Sequence, residues 1–329
     1  MPRRLAVLVS LSAVGLLLAG CASAPSASPA SSAPAASAGP VTVDNCGTDV
    51  TVDSPPERVL TIKSTSTEML LALGLGDRII GTAFQDGPLP DDLEAAGKGI
   101  EQVSEQVPGE EAVLDLEPDM IYGGWESNFS ADGAGERDEL QGLGITTYVS
   151  PAACKEAGYQ PDPLTWDSIF GEISEVGSLF GATDAADELI ATQRDEVAAI
   201  EPDDSGLTAL WYSSGTDTPY VGAGIGNPQL LMDTVGLTNI AADVHDTWTS
   251  YNWEAVVDAN PDVIVLVDAT WNTAQSKIDR LTSSPATADL DAVKNSRYLI
   301  IPFAAGEAGV RSAPAAVDLA EQLSALDLD

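Results

Sequence analysis

EEAVLDLEPDMIYGGW, residues 110–125, has a near-copy later in the chain, NWEAVVDANPDVIVLV, residues 252–267. At one constant offset the two segments share the identical pairs Glu111/Glu254, Ala112/Ala255, Val113/Val256, Asp115/Asp258, Pro118/Pro261, Asp119/Asp262 and Ile121/Ile264. Each copy predicts a short helix that ends before a Pro-Asp pair and is followed by a buried strand. A chain that repeats this helix–strand unit is expected to contain two lobes of the same design.

The segments around each copy extend the pattern. In the first half, strands are predicted at residues 57–63, 77–84, 119–122 and 145–150, with helices at 68–73, 111–116 and 137–142. In the second half, strands are predicted at 207–213, 262–268 and 297–303, with helices at 228–237, 254–259 and 314–326. Strands that alternate with helices are typical of an α/β fold with parallel sheets. We therefore predict two Rossmann-like lobes.

The segment between the two patterns, residues 164–201, has a different character. It shows helical periodicity and is too long for a single crossover between strands. We predict that it forms a long helical segment joining an N-terminal lobe, residues 41–163, to a C-terminal lobe, residues 202–329. Because ligands of open α/β sheets bind outside the carboxyl ends of the strands, a ligand cleft is expected between the lobes.

The beginning of the chain predicts export from the cytoplasm. Residues 1–20 combine a basic start with a short apolar run and resemble a lipoprotein signal peptide, whose cleavage would leave a lipid on Cys21. Residues 21–40 are rich in Ser, Ala and Pro and predict a flexible tether. The expected location is the outer face of a bacterial cytoplasmic membrane. An ordinary secretory signal is the alternative, and the export route, Sec or twin-arginine, stays open.

Two further cysteines, Cys46 and Cys154, belong to the predicted folded region. Outside the cytoplasm such a pair favours a disulfide, which would close a loop of about a hundred residues and stabilise the fold by ~4–5 kcal/mol. Two buried thiols are the alternative.

The charge of the chain excludes one class of partner. Its formal net charge is −37, with only 14 Lys and Arg residues. Nucleic acid would be repelled by such a protein, and so would an anionic membrane surface. We therefore expect contact with the membrane only through the lipid on Cys21.

Four features together carry a resemblance to a known family: PPERVL, residues 55–60; STEMLLALGLGDRIIG, residues 66–81; EAVLDLEPDMI, residues 111–121; and the joining helical segment. This combination resembles the substrate-binding proteins of ABC importers for iron-siderophores, haem and vitamin B12. The resemblance implies a receptor that captures a solute and delivers it to an ABC permease dimer with its ATPase subunits.

The same resemblance assigns a role to the repeated glutamates. In this family one glutamate on each lobe meets the permease, and Glu111 and Glu254 stand at the matching positions. Glu110 is the alternative to Glu111 if the register is shifted. A first-turn glutamate is also favoured by the helix dipole alone, which is the simpler explanation.

Aromatic and basic residues supply the candidate ligand site. The aromatic candidates are Phe84, Trp125, Tyr220, Trp248 and Trp271, which follow strands or lie in adjoining loops. The basic candidates are Lys63, Lys155 and Arg311, and the resemblance implies a ligand-contacting arginine at the position of Arg311. Together the three cations would hold an anionic ligand. The alternatives are ordinary packing for the aromatic residues and local ion pairs for the cations.

The identity of the ligand stays open among several classes. Ferric siderophores and corrinoids are the usual cargo of the family. The segments GWESNFSADGAGERDEL, residues 124–140, and YVSPAACKEAGYQPDPLTW, residues 148–166, also look like a branch assigned to a phosphorylated deazaflavin, a planar anionic cofactor precursor.

Other functions find little support in the sequence. His245 is the only histidine, so we expect no site for a bare transition metal. The chain lacks the HExxH, G-x-S-x-G and Walker motifs, and we expect no cofactor and no enzymatic activity. A surface sensor or adhesin with the same fold is the alternative function, and an enzyme that uses paired carboxylates is a further one.

Overall fold

The computed structural model describes residues 39–160 and 162–328. The predictions for the signal peptide, for Cys21 and for the tether up to residue 38 lie outside the described residues. The described residues form one compact unit. Within the described residues, no helix combines the length and the apolar character needed to cross a membrane.

The first lobe is built around five parallel strands that follow a two-stranded hairpin. Its elements are β1 (Val41–Asn45), β2 (Thr48–Val52), β3 (Val59–Ile62), α1 (Ser64–Ala72), β4 (Ile79–Ala83), α2 (Asp91–Gly97), β5 (Gln102–Ser104), α3 (Glu110–Asp115), β6 (Met120–Gly123), α4 (Arg137–Gly142) and β7 (Thr146–Val149). The sheet has the order β5-β4-β3-β6-β7, and all its pairs are parallel. Counted along the chain this order is 3-2-1-4-5, as in Rossmann-type sheets.

The rest of the chain contains two joining helices and the second lobe. The elements are α5 (Trp166–Leu179), α6 (Thr183–Ala198), β8 (Thr208–Ser214), β9 (Tyr220–Gly222), α7 (Asn227–Val235), β10 (Thr238–Asn239), β11 (Trp248–Ser250), α8 (Trp253–Ala259), β12 (Val263–Asp268), α9 (Ala274–Ser283), α10 (Asp291–Lys294), β13 (Tyr298–Pro302), α11 (Phe303–Gly306) and α12 (Ser312–Ser324). The sheet has the order β11-β9-β8-β12-β13, with β10 paired to the start of β8.

The central strands of both sheets are apolar on both faces. Leu60 and Ile121 in the first lobe and Leu210 and Ile264 in the second are fully buried. Helices cover both faces of a parallel sheet, so such strands carry nearly continuous apolar runs. The two sheets confirm the predicted α/β fold with two Rossmann-like lobes.

The repeated Pro-Asp pair has the same structural role in both lobes. The carboxylate of Asp119 accepts the backbone N–H groups of Glu57 and Arg58 at 2.8 and 3.0 Å, at the start of β3. The carboxylate of Asp262 accepts the N–H and the hydroxyl of Thr208 at 2.8 and 2.7 Å, at the start of β8. Each aspartate therefore caps the neighbouring strand and fixes where the two strands begin to pair.

The second sheet departs from the predicted parallel arrangement at one edge. Strand β9 is antiparallel to β8, and β11 is antiparallel to β9. Only residues 215–219 separate β8 from β9, and a connection that short cannot carry a strand back for parallel pairing. The sheet is therefore parallel at β10, β8, β12 and β13 and mixed beyond them.

The joining segment consists of two helices and not one. Helix α5 ends at Leu179, and Gly181 adopts a φ of 67° before α6 begins, a conformation that glycine adopts without strain. Side chains of α5, among them Ile169 and Ile173, belong to the core of the first lobe. The predicted boundaries of the two lobes stay a prediction.

Cys46 and Cys154 form a disulfide in the first lobe, with Cα atoms 5.4 Å apart and a sequence separation of 108. Cys46 follows β1 in the hairpin, and Cys154 follows the single turn of 3-10 helix at Pro151–Ala153. Both residues are buried. The bond therefore attaches the first hairpin to the loop that leaves the first sheet.

Candidate functional site

A cavity of about 330 Å³ lies between the two lobes. The first lobe contributes Thr65, Gly124, Trp125, Glu126, Ser150 and Lys155 to its wall. The second lobe contributes Ser213, Tyr220, Asn227, Trp248, Phe303 and Glu307. The cavity therefore occupies the cleft that the sequence analysis predicted between the lobes.

The topology of the sheets places these residues together. Thr65 and Trp125 follow the carboxyl ends of β3 and β6, which are neighbours in the first sheet. Ser213 lies near the end of β8, and Phe303 directly follows β13. Because parallel strands end at the same edge of a sheet, residues that are distant in sequence line one cleft.

Three of the five predicted aromatic residues line the cavity. Trp125 belongs to the first lobe, while Tyr220 and Trp248 stack on each other in the second lobe with ring centroids 6.2 Å apart. Phe84 contacts Trp125 edge to face at 5.7 Å and lies behind it. Trp271 is 64% exposed and is not part of the wall. Ligand contact by these last two residues stays a prediction.

Lys63 supports the aromatic wall from behind. Its side chain is buried and its ammonium group forms an ion pair with Asp86. The same ammonium lies 3.8 Å from the ring centroid of Trp125 and 4.3 Å from that of Phe84, which are cation–π contacts. Lys63 and Phe84 both have positive φ angles, 84° and 50°, which cost energy in residues with a side chain. The strained backbone thus lies at the strand ends beside the cleft.

Arg311 joins the two lobes outside the cavity. Its guanidinium pairs with both carboxylate oxygens of Glu68 in α1 and donates to the carbonyl of Pro88 at 2.9 Å. The side chains of Arg311 and Glu68 are only 13% and 2% exposed. Burial raises the pKa of Glu68, while the bond from Arg311 lowers it. This pair is a buried contact between the lobes.

Lys155 is the one predicted cation in the cavity wall. Its ammonium donates to Thr247 at 3.1 Å and lies 3.4 Å from the carboxylate of Asp246, so it bridges the lobes at the rim. The predicted arrangement of three cations around one mouth is therefore not what the structure shows. The physical reason is that each cation has its own carboxylate partner after folding. Lys63 pairs with Asp86, Lys155 with Asp246 and Arg311 with Glu68.

Several polar residues of the wall were not predicted from the sequence, and Glu307 and Thr65 are two of them. Glu307 accepts the indole N–H of Trp125 across the cleft at 3.1 Å. Burial raises the pKa of the Glu307 carboxyl, and the nearby Lys63 lowers it. The hydroxyl of Thr65 is buried and has no hydrogen-bond partner among the described residues. No local sequence signal marks either residue, because each acquires its place from the closure of one lobe on the other.

The repeated glutamates occupy equivalent places on the surface. Glu111 and Glu254 are each the second residue of their helix, α3 and α8, and both are exposed. An apolar residue follows each of them by three positions, Leu114 at 37% exposure and Val257 at 40%. Contact of these surfaces with a permease stays a prediction.

Metal binding finds no support in the side chains. In residues 39–160 and 162–328, no three His, Cys, Asp or Glu side chains group closely enough to hold an ion. His245 lies 3.8 Å from Asp162, and both side chains are largely exposed.

The fold matches that of known proteins. The model of the family described as periplasmic binding protein matches residues 59–305. The chain belongs to this family. The match confirms the resemblance to substrate-binding proteins of ABC importers that the sequence motifs indicated. It does not distinguish the deazaflavin branch from the others.

Three known proteins illustrate the similarity. An uncharacterized ABC transporter substrate-binding lipoprotein, YvrC of Bacillus subtilis, is 26% identical and covers 98% of both chains. A cobalamin-binding protein of Halobacterium salinarum is 30% identical over 78% of this chain and 69% of its own. The crystal structure of an ABC-type Fe3+-hydroxamate transport system from Saccharomonospora viridis is 27% identical, with a TM-score of 0.74, and covers 87% of this chain and 99% of its own.

Proposed function

We propose that this protein is an extracytoplasmic solute-binding lipoprotein that captures one small molecule between its lobes and delivers it to an ABC permease. The observation that supports this most is the cavity itself, since both lobes contribute aromatic side chains to one wall. Concave sites with aromatic walls and a few polar groups are typical of small-molecule binding. No reaction is assigned to the cleft.

The ligand we propose is ring-rich or a metal chelate. Trp125, Trp248 and Phe303 offer flat apolar surfaces to such a molecule. The candidate cargoes are ferric siderophores, corrinoids and a phosphorylated deazaflavin. The names of the relatives support the first two classes, because one is a cobalamin-binding protein and another belongs to an Fe3+-hydroxamate system.

We propose delivery of the ligand to a permease because the molecule has two similar lobes. Glu111 and Glu254 lie on equivalent exposed helices, one on each lobe, which suits a permease with two similar subunits. The permease would in turn work with ATPase subunits. Cys21 would hold the receptor at the membrane, as the lipoprotein name of the Bacillus subtilis relative suggests.

Tryptophan fluorescence tests the binding function. The full-length chain, purified in detergent, is titrated with haem, cobalamin, several ferric siderophores and a deazaflavin phosphate. Quenching that saturates with a submicromolar Kd for one compound, and weakens in Trp125→Ala, is the expected result. If no compound binds, solute capture is the wrong function and a surface sensor or adhesin becomes the better proposal.

A further inference from the structure

The charged side chains of the cavity wall determine the electrostatic character of the cleft. Three of the wall residues carry a charge: Glu126, Lys155 and Glu307. Lys155 is within ion-pair distance of Asp246, so its charge is locally balanced. Among the described residues, neither Glu126 nor Glu307 has a cation within 4.0 Å. Two carboxylates are therefore left without an ion-pair partner.

The neutral groups around these carboxylates do not cancel their charge. Glu126 accepts the backbone N–H of Lys155, and Glu307 accepts the indole N–H of Trp125. Hydrogen bonds of this kind stabilise a carboxylate in its ionised form, and they supply no opposite charge. Through space, Lys63 and Lys155 act on Glu307, and Arg137 acts on Glu126. Lys63 itself is neutralised by Asp86.

The rest of the chain strengthens the same electrostatic bias. With 51 acidic and 14 basic residues, the molecule presents a negative potential to any approaching solute. An anionic ligand would have to approach against that potential and then lose water beside Glu126 and Glu307. Burying a charge without an opposite partner is costly.

We infer that the cleft selects ligands that are uncharged or cationic in the part that enters the cavity, and discriminates against anionic ones. This rests on the proposed function of solute capture and narrows its ligand class. It favours neutral or cationic chelates, such as hydroxamate complexes of Fe3+, and amide-rich corrinoids. Among the candidate cargoes, a phosphate-bearing deazaflavin becomes the least favoured. The sequence had instead predicted a site for an anionic ligand.

Pairs of ligands that differ only in charge test the inference directly. Ferrioxamine B carries a free ammonium group, and its N-acetylated form has the same chelate without that charge. Cobalamin and its monocarboxylate form a second pair, and the deazaflavin with and without phosphate a third. In each pair that binds, we expect the member with the more positive net charge to bind about tenfold more tightly. Tighter binding of the more anionic member would overturn the inference.

Variants of Glu307 show whether the wall carboxylate causes the discrimination. Glu307→Gln should reduce the preference within a pair by about threefold, since it removes one charge and preserves the side-chain shape. Glu101→Gln is the matched control, because it removes one exposed carboxylate that does not line the cavity. If Glu307→Gln and Glu101→Gln show the same preference within a ligand pair, the Glu307 carboxylate does not cause the discrimination. Glu126→Gln serves as a second test if Glu307→Gln fails to fold.

Ionic quenching of tryptophan fluorescence separates this inference from the proposed function, since it needs no ligand. The experiment uses the full-length chain with the substitution Trp271→Phe. This substitution removes an indole that is 64% exposed and lies outside the cavity. Around a negative wall, caesium should quench the cleft indoles more strongly than iodide does, when each quenching constant is expressed relative to that of free tryptophan. Glu307→Gln should lower the caesium-to-iodide ratio of quenching constants by about twofold compared with Glu101→Gln. Equal ratios would overturn the inference, whereas a failure of every ligand to bind would overturn only solute capture.

Discussion

The indole N–H of Trp125 in the first lobe donates to the carboxylate of Glu307 in the second lobe at 3.1 Å. This bond crosses the candidate ligand cleft and ends on a half-buried acid. Opening of the lobes would therefore expose both partners to water, and closing restores a charge-assisted hydrogen bond. Two residues that line the cavity thus also connect its two sides.

Removal of that hydrogen bond should cost stability. Trp125→Phe keeps an aromatic ring beside Lys63 but leaves Glu307 without its donor. We expect the free energy of unfolding to fall by about 2–3 kcal/mol, because an ionised acceptor is left unpaired. Thermal unfolding measures the change. Trp166→Phe is the matched control, since Trp166 donates at 3.0 Å to the neutral hydroxyl of Thr234. An equal loss in both variants would contradict the special role of Glu307.

The unpaired hydroxyl of Thr65 should matter for binding and not for folding. It is buried in the cavity wall without a partner among the described residues, so Thr65→Val removes no internal hydrogen bond. We expect unchanged or slightly higher thermal stability, with ligand affinity lower by about tenfold because a bond to the ligand is lost. Thr65→Ser retains the hydroxyl and should bind normally. Full affinity in Thr65→Val would show that the ligand leaves this hydroxyl unpaired.

The disulfide should contribute strongly to stability. Cys46 and Cys154 close a loop with a sequence separation of 108. In the loop-entropy treatment a loop of that size stabilises the folded state by about 4–5 kcal/mol. The double variant Cys46→Ser, Cys154→Ser should therefore unfold at much lower urea concentration, and reductant should lower the midpoint only of the parent chain. A reductant-insensitive parent would mean that the bond does not form.

Exchange of the repeated glutamates should separate transport from binding. In the double variant Glu111→Ala, Glu254→Ala, we expect uptake through the permease to fall by about tenfold or more, because two exposed charge contacts are lost. Ligand affinity should not change, since neither residue lines the cavity. The control is Asp115→Ala, Asp258→Ala, which removes two exposed acids at equivalent positions of the same helices. Equal uptake by both variants would count against docking through the glutamates.

A buried carboxyl in the first lobe should make stability depend on pH. Glu172 accepts the hydroxyl of Tyr122 at 2.8 Å, and burial raises its pKa from 4.5 to about 7, against hydrogen bonds that lower it. Between these values the folded state binds more protons than the unfolded state. The free energy of unfolding therefore falls as pH rises through this window, by about 3 kcal/mol for such a shift.

Glu172→Gln tests this dependence, because the amide stays neutral at every pH. We expect the variant to be more stable than the parent at pH 8, and the difference to shrink as pH is lowered to 5. Urea denaturation at several pH values measures both chains. Glu321→Gln, at an exposed position of α12, is the control and should follow the parent. Parallel pH curves for Glu172→Gln and the parent would refute the assignment.

The sequence predicted those elements whose pattern is local. The helix–strand repeat at Glu111 and Glu254 identified the central strands β6 and β12 within a residue or two, because apolar runs and Pro-Asp boundaries are visible in a short window. The amphipathic helix α9, the edge strands β5 and β11 and the three-residue strand β9 were missed. Edge strands are short and half exposed, so their composition resembles that of loops.

The candidate site was predicted less completely, for a reason of geometry. Trp125 could be placed in the cleft because residues that follow strands collect at one edge of a sheet. Trp248 was placed there by the family resemblance, and in the structure it begins the edge strand β11. The partners of Lys63 and Arg311 could not be foreseen, since Asp86 and Glu68 reach them only after folding. Long-range pairing decides which cations remain available, and no local pattern records it.

The disulfide has a mechanical consequence as well. A pulling force applied at residue 39 would first peel β1 from β2, because the pairs from Val41/Val52 onward lie in the path of the load. Peeling would stop at Cys46, where the covalent bond passes the tension to Cys154. That position adjoins Ala153 and Lys155 of the cleft wall. In the oxidised protein, the stretched part of the fold is therefore limited to one strand, and further load is borne by the rim of the cleft.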